Sequence, residues 1–468
     1  MIFFTKGEIN YNKVKKDKRY LEYRNNLAHG LSDDNQYDYV KPFVTWYYSS
    51  LKGPFKAIDR IIDRSIVAAS KLKLNKSKEK NNALVAISNE LKKEDNIKRI
   101  LNANMIDIAE AKEKNISPVM IKRLELTREK IISIANDVVS VSKLDDPVGK
   151  ILERRELKSG LKLQKITVPL GVILAIYESR PNVSVDIATL CIKSGNACLL
   201  KGGKETRYTN SILVDIMRNA IKDYISVDSI QLIGNNSSFV VPYLLKQKGR
   251  IDLVVPRGSK RLINNVTENT KIPYIETGAG VCHIYVDKSA DIDMALKIIN
   301  NAKTSNPAVC NAVECVLVNT NIKNTFLPRL KKMFDGKVVL NGNEEVKKII
   351  DCNLITDYGT EYDDLILDIK IVKDVDSAIA HIEKYGTHHS DAIISKSPSN
   401  IAKFMNKVDS ACVYVNASTR FSDGGCFGMG AELGISTQKL HARGPMALKE
   451  MTTYKYKVYG NGQVRWKD

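Results

Sequence analysis

Residues 171–203 read GVILAIYESRPNVSVDIATLCIKSGNACLLKGG. Gly171 to Tyr177 is a short apolar run that stops at Glu178-Ser179-Arg180-Pro181-Asn182, a helix-period stretch follows, and Asn196 to Gly203 opens a second apolar run ending in glycine. An apolar run too short for a helix, broken by Pro and Asn and followed by 3.6-residue periodicity, predicts a strand, a turn and a helix. The same alternation continues. Ile230 to Ile233 stops before Gly234, Ile251 to Val255 ends at Pro256-Arg257-Gly258, and Tyr274-Ile275 ends at Glu276-Thr277-Gly278. Such βα alternation predicts parallel sheets, with a binding site where the strands end.

A second stretch carries the chemistry. Asn301 to Val318 reads NAKTSNPAVCNAVECVLV, a polar segment that passes one cysteine and runs into a β-branched apolar stretch. Cys310 therefore stands where a turn meets a buried strand, a position from which a rigidly held thiol can act as a nucleophile, or where it packs as one more small buried hydrophobe.

Outward from these stretches, residues 63–147 show long helical periodicity that ends at Asp145-Asp146-Pro147, and proline forbids its continuation. Residues 148–169 contain two extended arms around Lys158-Ser159-Gly160, the second alternating apolar and polar, which predicts a β-hairpin. Thr453 to Tyr459 alternates in the same way near the C-terminus. Residues 1–62, rich in Tyr and Lys, carry no sustained period and remain an extension of unclear role. The run Gly424 to Gly430 is glycine-rich without a strand leading into it, and reads as a loop rather than a dinucleotide fingerprint.

Composition excludes several classes. The chain has 468 residues, 43% of them hydrophobic, with no stretch approaching a membrane span and no signal-peptide pattern, so a cytoplasmic location is expected. Eight cysteines lack CxxC pairing and six histidines scarcely cluster, which argues for reduced thiols and no metal. The net charge of +19 is spread along the chain, without a groove-reading motif, so nucleic acid is not an expected partner. A basic surface would instead steer an anionic small-molecule substrate.

From about residue 65 onward the chain resembles the gamma-glutamyl phosphate reductases, a branch of the aldehyde dehydrogenase superfamily. The motifs are IYESRPNV (176–183), SGNACLLKGGKE (194–205), VPRGS (255–259), ETGAGVCH (276–283), PAVCNAVE (307–314), KYGTHHSDAI (384–393), VYVNASTRFSDGG (413–425) and STQKLHARGPM (436–446). The resemblance implies an α/β, aldehyde-dehydrogenase-like fold. A Rossmann-like cofactor domain would span 63–147 and 170–278, a catalytic domain 279–446, and an oligomerisation hairpin with its C-terminal strand 148–169 and 447–468.

It also implies an enzyme that reduces L-glutamyl 5-phosphate with NADPH to glutamate 5-semialdehyde and phosphate, in proline formation. Cys310 matches the nucleophile and Asn182 the oxyanion-hole amide. Glu276 matches the general base of hydrolytic relatives, a task that a reductase does not need, so a structural role stays open. For NADP the matches are Lys201, Gly202, Gly203, Gly258, Ser259 and Glu361. For the substrate they are Arg180, Asn416, Ser418, Arg420, His441 and Arg443. A homo-oligomer, dimer or tetramer, is implied, with a separate glutamate kinase as an associate. The competing reading is another aldehyde or acyl-phosphate dehydrogenase of the same fold.

Overall fold

The computed structural model describes residues 52–116, 118–275, 279–429 and 432–465. Met1–Arg60 and Ile61–Asp468 form two separate units. Most of the 1–62 extension lies outside the described residues.

Five helices open the described chain: α1 (Lys52–Leu72), α2 (Ser77–Leu91), α3 (Glu94–Glu113), α4 (Pro118–Leu124) and α5 (Arg128–Lys143). They form where apolar residues recur three and four apart. In α2 that stripe is Ala83, Leu84, Ile87 and Leu91, and in α5 it is Ile131, Ala135, Val138 and Val141, all buried. Thr127 caps α5 by accepting the Lys130 N–H.

The hairpin follows as β1 (Ile151–Glu156) and β2 (Lys162–Pro169), closed through Gly160 at φ +78°. Next come the four strands of the first sheet, β3 (Val172–Tyr177), β4 (Ala197–Gly202), β5 (Ile230–Leu232) and β6 (Leu253–Arg257). They are ordered β5-β4-β3-β6 with every pairing parallel. Each residue of β3 and β4 is buried, as a sheet covered on both faces requires. The connections include α6 (Asn182–Lys193), α7 (Arg207–Ile221) and, after β6, α8 (Lys260–Asn269).

The second sheet comprises β7 (Cys282–Val286), β8 (Val313–Asn319), β9 (Val339–Gly342), β10 (Asn353–Leu354), β11 (Ile366–Val372), β12 (Ser390–Ile394) and β13 (Cys412–Val415). Its order is β10-β9-β11-β8-β7-β12-β13, again wholly parallel. A short antiparallel pair, β14 (Gly434–Ser436) with β15 (Gly444–Met446), precedes β16 (Thr452–Tyr459). β16 pairs antiparallel with β2, so hairpin and C-terminal strand make one sheet of order β1-β2-β16.

The loop that carries Cys310 leaves α9 (Ile292–Thr304) and enters β8. Its two ends are joined by a fully buried ion pair, Lys303 Nζ to Glu314 Oε2 at 2.7 Å. Glu314 can reach Lys303 because the β7–β8 register slips there, from Cys282 opposite Val313 to His283 opposite Cys315, which makes Glu314 the extra residue of a bulge. Around it Val313, Val316, Leu317 and Val318 are fully buried, each contributing about 1.5–3 kcal/mol. Burial raises the Glu314 carboxyl to about 8, with Lys303 opposing the shift, so the pair is fully charged only above that pH, where removal of one charge leaves the other uncompensated. Lys303→Met is expected to lower stability by about 3–5 kcal/mol in urea denaturation, and adding Glu314→Leu should recover most of it. A double variant as unstable as the single one would show that the pairing is not what matters.

Candidate active site

Cys310 sits at the amino end of β8, against groups from the carboxyl ends of the first sheet. Its backbone is clamped. A Cβ on Gly280 would stand 1.5 Å from the Cys310 carbonyl oxygen, so only glycine permits this approach. The Cys282 thiol donates to that same oxygen at 3.2 Å, and Glu361 Oε1 accepts the Gly280 N–H at 2.7 Å.

The next residue fixes the loop from the other side. Asn311 Nδ2 donates to the Ser422 carbonyl at 2.8 Å, and the Thr419 hydroxyl donates to the Asn311 carbonyl at 2.7 Å. Arg420 bonds the Asn311 side-chain oxygen and, through Nε, Ser305 Oγ at 3.1 Å. It thereby spans the loop on both sides of Cys310.

A cavity of about 300 Å³ adjoins, lined by Arg180, Asn182, Asp186, Arg257, Glu432 and Asp137 among others. Asn182 begins α6, where its amide donates to Asp186 Oδ2 at 3.0 Å. Burial raises the Asp186 carboxyl to about 7, against that hydrogen bond. Burial likewise pushes the Cys310 thiol up to about 11, opposed by Arg257 and Arg180 and reinforced by Glu432 and Glu361. Arg180 is lowered to about 10, first by burial and then by Arg257 and Arg123, while Cys310 and Asp363 oppose the shift. Two cations and two carboxylates thus act on the thiol at once. Burial also raises the Glu432 carboxyl, which accepts the Gly424 N–H at 2.7 Å.

A second cavity, of about 320 Å³, opens at the ends of β4 and β5 and is lined by Gly202, Gly203, Arg207, Asn210, Gly234 and Asn236 among others. Beside it Lys201 is buried, its ammonium donating to the Gly202 carbonyl at 2.8 Å and to Asn236 Oδ1 at 3.1 Å. Burial pushes that ammonium down, against Glu205. Glycines, a buried cation and a half-open volume at strand ends suit the phosphorylated adenosine part of a dinucleotide.

The aldehyde dehydrogenase family model matches residues 35–348. A gamma-glutamyl phosphate reductase of Nautilia profundicola is 48% identical over 376 residues, covering 80% of this chain and 92% of that protein. The Escherichia coli protein of the same name is 47% identical, with 85% and 97% covered. The crystal structure of the Thermotoga maritima gamma-glutamyl phosphate reductase aligns with TM-score 0.84 and 42% identity, over 87% of this chain and 99% of that one. The chain belongs to the gamma-glutamyl phosphate reductase family, within the aldehyde dehydrogenase fold.

Not every residue that the family resemblance implied converges on Cys310. Arg180 and Glu361 lie close enough to shift the Cys310 thiol, Arg420 bonds the loop that carries it, and Asn182 lines the adjoining cavity with Arg180. Lys201, Gly202 and Gly203 lie at the second cavity, where Asn210 already fills the space over Gly202. Gly258 and Ser259 meet Glu178, whose Oε2 accepts the Ser259 N–H at 3.0 Å and hydroxyl at 2.9 Å. Asn416 pairs with the Ser395 backbone, and Ser418 caps the turn at Arg420. His441 Nε2 faces the Glu450 carbonyl at 2.5 Å, and Arg443 holds Asp409 at 2.6 Å. Glu276 lies outside the described residues.

Sequence reasoning missed Arg257, Asp186, Glu432 and the Lys303–Glu314 pair. Arg257 had a signal, as the charged end of a buried strand. The others had none. His283, Cys315 and His381 also come together, donor atoms within 4.8 Å, although His381 Nδ1 already faces Lys370 Nζ at 3.0 Å.

A thiol raised to about 11 is mostly protonated at neutral pH, so its alkylation should accelerate about tenfold per pH unit below that value. Followed on the Cys310 peptide, the iodoacetamide rate of Arg257→Gln is expected to shift to higher pH, because a thiolate-favouring cation is gone. Glu432→Gln should shift it to lower pH. A wild-type plateau below pH 8 would contradict this electrostatic balance.

Proposed function

We propose that this enzyme reduces L-glutamyl 5-phosphate with NADPH to glutamate 5-semialdehyde and phosphate, a step in the proline-forming direction in the cytoplasm. The observation that carries the reading is the Cys310 loop, with Arg180 and Arg257 on the cavity side and Arg420 along it. An acyl phosphate that also bears a carboxylate needs cations at two points, and guanidinium groups bind such oxygens in pairs.

Cys310 Sγ, once its proton has passed to solvent, attacks the acyl carbon as the thiolate. The bond from that carbon to the phosphate oxygen breaks, phosphate leaves with the electron pair, and a thioester remains. The Asn182 amide, held by Asp186, donates to the oxygen that gains charge. When bound, the nicotinamide supplies the hydride for the thioester carbon. The C–S bond then breaks, the pair returns to Cys310, and the aldehyde leaves. Lys201 is the residue we assign to the 2′-phosphate of NADP, with Arg207 beside the same cavity.

Cys310→Ser should fold normally and lose turnover by about a thousandfold or more, since the nucleophile is gone. Lys201→Ala should raise KM for NADP by roughly 10- to 100-fold and that for NAD far less, as loss of one charged hydrogen bond predicts. The assay is NADP reduction with glutamate semialdehyde and phosphate. Oxidation of plain aldehydes without phosphate would favour the competing dehydrogenase reading.

We further infer that copies of the chain associate through the β1-β2-β16 sheet. It exposes Leu152, Tyr454, Tyr456 and Val458, apolar groups that a solitary arm would leave in water. Sedimentation should give a dimer or tetramer, and a stable monomer would overturn this. Among the described residues no helix is long and apolar enough to cross a membrane, and all eight cysteines are free.

A further inference from the structure

The turn that aims Arg180 and Asn182 holds a backbone conformation that its sequence does not favour. Ser179, the residue before Arg180, has φ +50° although it carries a side chain. Left-handed backbone is costly for an L-residue other than glycine, so something must hold it there.

Two acids do so. Glu205 Oε1 accepts both the Ser179 N–H, at 2.7 Å, and the Ser179 hydroxyl, at 3.1 Å. Glu205 lies on the short turn Lys204–Thr206 that follows β4, immediately after the glycines of the second cavity. A Cβ on Gly203 would fall 2.2 Å from its Oε1, so Gly203 leaves the room through which this carboxylate reaches Ser179. The preceding residue, Glu178, binds the N–H and hydroxyl of Ser259 at the start of α8. The loops after β3, β4 and β6 are therefore tied together at Glu178-Ser179. What lies beyond the tie is the start of α6 with Arg180 and Asn182.

We propose that Glu205 is a positioning residue: it holds Ser179 left-handed so that Arg180 and Asn182 line the cavity they share with Arg257 and Glu432, and so links the loop of the second cavity to the acyl-transfer site. The inference rests on the functional reading above for its kinetic consequence, but its structural content is independent of it. Glu205 touches no reacting atom. Its effect is on orientation, which appears in kcat.

The test uses the full chain with Glu205→Ala, Glu205→Gln and Glu205→Asp, together with Ser179→Gly in the wild-type and Glu205→Ala backgrounds. Amide hydrogen exchange of residues 178–184 should quicken in the Ala and Asp variants. It should stay slow in Gln, whose amide oxygen still accepts. The Ser179→Gly/Glu205→Ala pair should regain protection, because glycine takes φ +50° unaided.

In the phosphate-dependent assay, kcat should fall about 10- to 100-fold for Ala and Asp with KM for the cofactor changed less than about threefold. Gln should stay near wild type, and Ser179→Gly should restore much of the loss. Unchanged exchange in Glu205→Ala, or a loss that Ser179→Gly does not relieve, overturns the proposal. If the wild type shows no phosphate-dependent turnover, the functional reading fails, and the exchange data still decide the positioning role. Should Glu205→Ala fail to fold, the contrast between the Asp and Gln variants decides the matter: fast exchange in Asp with slow exchange in Gln supports the role, and equal exchange in both overturns it.

Discussion

The buried ion pair between Lys303 and Glu314 is the constraint on which the thiol depends. Both side chains are withdrawn from water, a cost that close pairing offsets only in part, since burial still raises the Glu314 carboxyl to about 8 against Lys303. Such a pair adds little to net stability. It does fix geometry, because a loop whose ends are joined through buried charges has one length and one path. The bulge in β8 is the structural expression of that requirement, since regular pairing would have given Glu314 a different direction.

A fixed path places Cys310 at the amino end of one sheet and near the carboxyl ends of the other. The amino end supplies the loop and its clamps at Gly280, Cys282 and Asn311. The carboxyl ends supply Arg180 and Arg257. Burial and cations then pull the thiol in opposite directions, and burial prevails, leaving it above its ordinary value. A thiol kept mostly protonated is a poor target for oxidation while the site is empty of substrate. The price is a smaller fraction of the reactive form at neutral pH, which the arginines limit.

Much of this architecture was legible along the chain. The apolar runs at 171–177 and 196–203 predicted parallel strands, which the structure buries along β3 and β4, and their breaks marked where a site at the strand ends begins. The hairpin was legible from its alternating second arm and its Gly160 turn, the C-terminal strand from Thr453 to Tyr459. Cys310 was visible as a cysteine before a buried strand, although its role came from family motifs. Local period carries that kind of information. It carries nothing about register slips or about carboxylates that meet loops distant in sequence. Glu314 read as one polar residue in an apolar run, and Ser179 as part of an ordinary turn. Asp186 stands on a helix that proves buried nearly all round, which its mixed sequence does not announce.

The positive charge also changes meaning in three dimensions. Most lysines of the described helices are exposed, but Arg180 and Arg257 line a cavity together, with Arg123 close enough to lower the Arg180 pKa further. Burial first, and then repulsion from Arg257 and Arg123, keeps Arg180 below its ordinary value, and Cys310 and Asp363 do not cancel the effect. An anion entering the cavity relieves that repulsion at the same moment as it is bound. The arginines that found partners within the fold, Arg443 with Asp409 above all, have little such energy left to offer. Anion binding is therefore decided less by the number of basic residues than by which of them the fold leaves incompletely neutralised.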